Sequence, residues 1–150
     1  MRFLVLLAVL LAGCATSPAP APEAETKPEA PTPVPAPAAK ENIAIAGLMD
    51  SARAEAAAGN LAGAAASLER ALRIEPRNPR LWHELARVRL KQGQHAQAES
   101  VAARSNSWAG EDKALRAENW RLIAETRRAR GDTEGAQAAL EQAGASREQK

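Results

Sequence analysis

The feature that most constrains this chain is a pattern that returns three times in its C-terminal two-thirds. Aligned on their glycines, three segments begin near Ile45, Pro79 and Ala117, with spacings of 34 and 38 residues. Each has alanine at the eighth place (Ala52, Ala86, Ala124), glycine at the fifteenth (Gly59, Gly93, Gly131) and alanine at the twentieth (Ala64, Ala98, Ala136). The fourth place is bulky (Leu48, Trp82, Trp120), and the twenty-fourth is Leu68, Ala102 and Leu140. A period of this length marks a unit that cannot bury its apolar face alone and must stack on its neighbours. Small residues at matched places let two antiparallel helices approach closely, and a glycine between them can take the left-handed conformation that ends the first. Asn78-Pro79 reads as an N-cap followed by proline at the first helical position. Leu81, Trp82, Leu85 and Val88 then share one helical face, which is expected to be core. With no Tyr and a single Phe, the chain is poor in strand formers. The expected fold class is all-α, a short solenoid of three helix-turn-helix repeats near 45–78, 79–112 and 117–150.

These residues and spacings resemble the tetratricopeptide repeat family. Such domains use a concave face, lined by the first helix of each repeat, to hold an extended or helical segment of another protein. Carried over place by place, the resemblance implies partner-binding positions at Met49 and Arg53 in the first repeat. It gives His83, Glu84, Arg87, Leu90 and Lys91 in the second, and Arg121, Leu122, Glu125 and Arg128 in the third. The set leans basic, and because an arginine fork suits a carboxylate, an acidic or C-terminal peptide is the expected ligand. The Lys and Asn clamp of the chaperone-binding relatives is missing, since Met49, Arg53 and Glu84 stand among its places. Between the second and third repeats the pattern lapses: Ser105 and Asn106 replace an apolar close. The four extra residues are expected in a longer connection through Ser107, Trp108, Ala109 and Gly110. Trp108 is the aromatic outside the repeat pattern, either folded over the adjoining helices or in contact with a partner.

The first 13 residues carry a positive charge at Arg2 and an apolar run from Phe3 to Ala12, the length of a signal-peptide core and short of the roughly 20 residues that span a bilayer. The run ends in Leu11-Ala12-Gly13-Cys14, which resembles a bacterial lipobox. That resemblance implies lipidation of Cys14, which becomes the first mature residue and the point of attachment to a membrane. Ala15 follows, not the Asp that commonly retains such proteins in the inner membrane, so the implied location is the outer membrane, facing the periplasm. Cys14 is the only cysteine, so no disulfide forms within one chain. From Ala15 to Lys40 there are eight Pro and eight Ala, with Val34 as the only larger aliphatic side chain. This composition cannot offset its ordering entropy, and residues 14–40 read as a disordered linker that reaches about 80 Å when extended. The expected folded domain is 41–150.

Charge and motifs bound the chemistry. Twenty Lys or Arg against 18 Asp or Glu leave a net charge of +2, which supplies no bulk attraction for nucleic acid. His83-Glu84-Leu85-Ala86-Arg87 begins like the zinc motif H-E-x-x-H, but Arg87 stands at the second ligand place and cannot coordinate a metal. The other histidine, His95, lies beyond the Gly93 turn. With no phosphate loop and no nucleophile elbow, the chain reads as neither enzyme nor metal protein, and its only non-protein group is the implied lipid on Cys14.

As a whole, the architecture is similar to the LpoP-type outer-membrane lipoproteins, activators of class A penicillin-binding proteins. The resemblance implies a periplasm-facing adaptor that binds a protein partner and regulates a peptidoglycan synthase, for which a long linker is what spans the gap between membranes. Two alternatives stay open: a pilotin or outer-membrane assembly factor, and a peptidoglycan-binding or hydrolytic envelope protein, which needs convergent carboxylates or an aromatic sugar platform. Self-association is a further expectation, because little sequence after Ala143 remains to cap the last repeat.

Overall fold

The computed structural model describes residues 37–148, with side chains from 43 to 147. Cys14, the leader 1–13 and the linker up to residue 36 lie outside the described residues. Six helices follow one another: α1 Pro37–Ala57, α2 Leu61–Ile74, α3 Pro79–Lys91, α4 His95–Trp108, α5 Lys113–Ala129 and α6 Thr133–Glu148. They pair as α1 with α2, α3 with α4 and α5 with α6. Each second helix packs on the next first helix, and α3 also touches α5. The described residues are therefore the all-α stack of three helix-turn-helix repeats that the sequence pattern predicts.

Local rules explain where the helices stop. Gly59, Gly93 and Gly131 have φ of 81°, 72° and 82°. The N–H of each glycine donates to the carbonyl three residues back, and the next N–H reaches five back: Asn60 to Glu55, Gln94 to Arg89, Asp132 to Arg127, at 2.8–3.0 Å. This paired bonding is the Schellman closure, and it satisfies carbonyls that a helix end otherwise leaves open. The residue after the glycine then serves the next helix. Asn60 Oδ1 accepts from the Gly63 N–H at 3.1 Å, and Asp132 Oδ1 from the Gly135 N–H at 2.8 Å. Gln94, whose side chain is one methylene longer, makes no such cap bond. Between repeats, Asn78 accepts from the Arg80 and Leu81 N–H groups and Asp112 from that of Leu115.

The expected small places are core. Ala52, Ala86, Ala124, Ala64, Ala98 and Ala136 are all buried, so the repeated alanines lie where helices touch. Leu81, Leu85 and Val88 are buried as the α3 pattern requires. Trp82 is half-buried against the same cluster, with its Nε1–H donating to the Pro76 carbonyl at 2.8 Å. Leu68, Leu81 and Ile123 are the large apolar side chains removed most completely from water, each worth about 2 kcal/mol in transfer free energy.

Three expectations shift. Residues 37–40, read as linker, open α1 instead, since Pro37 takes a position at which a missing N–H costs nothing. The four extra residues are not in the connection between the second and third repeats. The segments 75–78 and 109–112 are equally long, α3 and α5 start 34 residues apart, and α5 has 17 residues against 13 in α3. Ser107 and Trp108 accordingly form the last turn of α4, and the third repeat starts at Lys113 rather than near Ala117. Glycine alignment misplaced the insertion because it registers repeats at the turn within a pair, whereas the added turn lies at the far end of α5.

The Ser105-Asn106 lapse is a polar tie. Asn119 is fully buried on α5; its Nδ2 donates to Ser105 Oγ at 2.7 Å and to Asn106 Oδ1 at 2.9 Å. Ser105 Oγ, itself buried, donates to the Pro79 carbonyl at 2.8 Å, joining α5 to α4 and to the start of α3.

Candidate functional groove

The first helices α1, α3 and α5 present one side of the stack, and two adjoining recesses open there. One lies between α1 and α3, with a volume of about 240 Å³. Its floor is apolar, made by Ala52, Ala56, Val88 and Leu68 of α2, and Met49, Arg53, Glu84, Arg87 and Lys91 stand around it. The repeated alanine at the eighth place thus packs a helix pair and also leaves room for a side chain from outside. The second recess, between α3 and α5, is wider and more open, about 700 Å³. His83, Arg87, Lys91, Arg121 and Glu125 line it, with Leu90 and Leu122 as its apolar part. Arg87 and Lys91 belong to both, which makes α3 the ridge of one composite groove.

The charges on this face are weakly committed. Arg53 pairs with Asp50 at 3.0 Å in water and Arg87 with a partly buried Glu84 at 3.4 Å, both within a single helix turn, where such pairs contribute under about 1 kcal/mol. Among the described residues Lys91 and Arg121 have no ion pair, and neither has Glu125. A ligand carboxylate therefore meets cations whose internal competitors are absent or easily displaced.

His83 differs from its neighbours. Its side chain is only 12% exposed, and Nδ1 lies 2.7 Å from Asn119 Oδ1. Because both bonds from Asn119 Nδ2 go to oxygens, Asn119 Oδ1 faces the ring, and His83 Nδ1 must carry a proton to complete the bond. The other nitrogen, Nε2, faces Glu118 Oε2 at 3.8 Å. His83 thus joins the buried tie between repeats and offers the groove one ring edge.

Of the positions carried over from the repeat pattern, Met49, Arg53, His83, Glu84, Arg87, Leu90, Lys91, Arg121, Leu122 and Glu125 line one recess or both. Arg128 is exposed on α5 but lines neither. Sequence reasoning missed Glu118 and His95, both on the wider recess. Glu118 stands at the second place when the third repeat is aligned on Gly131, a place not carried over from the family pattern in any repeat, and His95 comes from the start of a second helix. Trp108, 41% exposed at the end of α4, is outside the groove, and the Arg77 guanidinium lies over its ring at 5.1 Å. Among the described residues no three His, Cys, Asp or Glu side chains gather as a metal site, and no helix is long and apolar enough to cross a membrane.

Residues 55–117 match the family model described as tetratricopeptide repeat, which covers the first inner turn through the start of α5. Among solved structures, the chain is similar to the globular C-terminal domain of P. aeruginosa LpoP, at 46% sequence identity and a TM-score of 0.66. That alignment covers 67% of this chain and 94% of the other. No curated protein gives a significant match.

Proposed function

Because the chain belongs to the tetratricopeptide-repeat family, in company with the globular C-terminal domain of P. aeruginosa LpoP, we propose that it is a lipid-anchored adaptor of the cell envelope whose groove binds and regulates a class A penicillin-binding protein. The observation that carries this reading is the 46% identity held over 94% of the LpoP domain. The composite groove supports it: an apolar floor beside lightly engaged cations suits a protein segment and supplies no reacting group aimed at a bound one. In this reading Cys14 carries the lipid, the proline-rich segment is the tether, and the domain faces the periplasm from the outer membrane.

Two measurements test it. Crosslinking of the chain bearing Cys14→Ser in envelope extract is expected to capture a class A synthase, and adding the chain to that purified synthase is expected to raise its glycan polymerisation rate. Capture without stimulation retires activation and leaves an adaptor; failure to capture any synthase retires the proposed partner. For the anchor, the mature protein is expected to gain the mass of its acyl chains and to sediment with membranes, and Cys14→Ser should abolish both.

A further inference from the structure

A second cluster of interaction-prone side chains lies outside the groove, where the end of α4 meets the turn between α2 and α3. The Arg77 guanidinium lies over the Trp108 ring at 5.1 Å, and the Arg104 guanidinium over the Trp82 ring at 4.9 Å. These two stacks form one unit. Trp82 Nε1–H donates to the carbonyl of Pro76, the residue before Arg77, while Arg104 and Trp108 stand one turn apart on α4. None of these residues lines either recess of the groove.

The cluster has charge to spare. Among the described residues neither the Arg77 nor the Arg104 guanidinium has a carboxylate partner or a hydrogen bond. Two nearby acids are held by other donors: Glu75 Oε2 accepts from Asn78 Nδ2 at 2.7 Å, and Asp112 Oδ2 from Arg80 at 2.8 Å. A guanidinium stacked on a ring has lost much of its side-chain freedom, yet its N–H edge stays open, so little further entropy is lost when it grips an oxyanion. Ile74, 38% exposed, and Pro76 supply apolar surface beside it. Tryptophan and arginine are the residues most often found at the energetic centre of protein interfaces.

We propose that the Arg77–Trp108 and Arg104–Trp82 pair of stacks is a second docking surface, which takes a carboxylate-bearing segment of a protein partner with an apolar side chain next to the acid. Each ring has a cation over one face, which disfavours a sugar platform, and the exposed apolar side chains are too few to insert in a bilayer.

The test uses the full chain with Cys14→Ser, nitrogen-15 labelled, titrated with a synthetic peptide of alternating Glu and Leu, and read by its three tryptophan indole signals. The Trp82 and Trp108 signals are expected to shift saturably with the peptide and to stay in place with its Gln-for-Glu counterpart. Arg77→Gln with Arg104→Gln should weaken binding at least about tenfold, whereas the Arg→Lys pair, keeping charge but losing the planar fork, should fall between. Both arginines are solvent-exposed, and an unchanged melting temperature confirms that the variants fold. Lys91→Ala with Arg121→Ala, which alters the groove alone, should leave the indole shifts intact. The proposal is overturned if the two signals do not move, if the Gln variants bind as tightly, or if phosphatidylglycerol vesicles shift them and the peptide does not.

Discussion

Asn119 shows how one side chain can reverse the meaning of a sequence irregularity. Ser105 and Asn106 look like a break in the apolar pattern, yet together with His83 they surround the Asn119 amide inside the stack. Each such bond contributes only about 1 kcal/mol net, but a buried partner left without one costs about 1–3 kcal/mol. Asn119→Leu, which keeps the branched shape but puts methyl groups in place of the amide oxygen and nitrogen, is therefore expected to lower unfolding stability by about 2 kcal/mol or more, because Asn106 Oδ1 and His83 Nδ1–H both lose their partner. Chemical denaturation measures the loss, and a midpoint within error of the parent would show that the tie contributes nothing. The Asn119 contribution was not legible in the sequence, since an asparagine in a helical segment reads as a solvated residue until its neighbours are known.

At the scale of the helix pair, the three glycine turns were legible because the requirement is local: a left-handed residue must follow the first helix, and glycine takes it without penalty. Gly93, at φ of 72°, has open space where a Cβ would stand, so substitution there tests backbone strain without a steric clash. Gly93→Ala is expected to cost about 1 kcal/mol and Gly93→Val more. Gly47 gives the opposite sign. It too has open space around a Cβ but lies inside α1, where Gly47→Ala should stabilise by about 0.5–1 kcal/mol. Thermal melts of the two alanine variants should move in opposite directions, and a shared direction would contradict the assigned turn. The extra turn of α5 was misread for a related reason: a motif reports spacing to the nearest turn and is silent about which end of a helix has grown.

Across the whole molecule, the groove results from three first helices aligned by stacking, and its charges act as a set. Lys91→Glu with Arg121→Glu replaces two unpaired cations on either side of the wider recess. Binding of the captured partner should weaken about tenfold or more and become less sensitive to salt, with stability little changed. Titration calorimetry at two ionic strengths decides this, and unaltered affinity would place the contact elsewhere. The end of the stack bears on self-association. Leu140, 36% exposed, is the one large apolar side chain that α6 leaves open among the described residues. Stable interfaces bury roughly 1,200 Å² or more in total, polar surface included, and light scattering measures whether this end of the stack supplies one. A dimer that Leu140→Glu dissolves would show that this face associates.

The repeat count, the helix class, the small-residue contacts and the three left-handed turns were determined by the sequence alone, because each depends on residues within one or two helical turns of one another. Tertiary structure decided what depends on distant residues meeting. It placed Asn119 against Ser105, set α3 as a ridge shared by two recesses, and stacked Arg77 on Trp108 from another repeat. Periodicity records which residues face inward; it does not record which inward-facing residues touch, and that pairing sets the buried polar tie and the open cations.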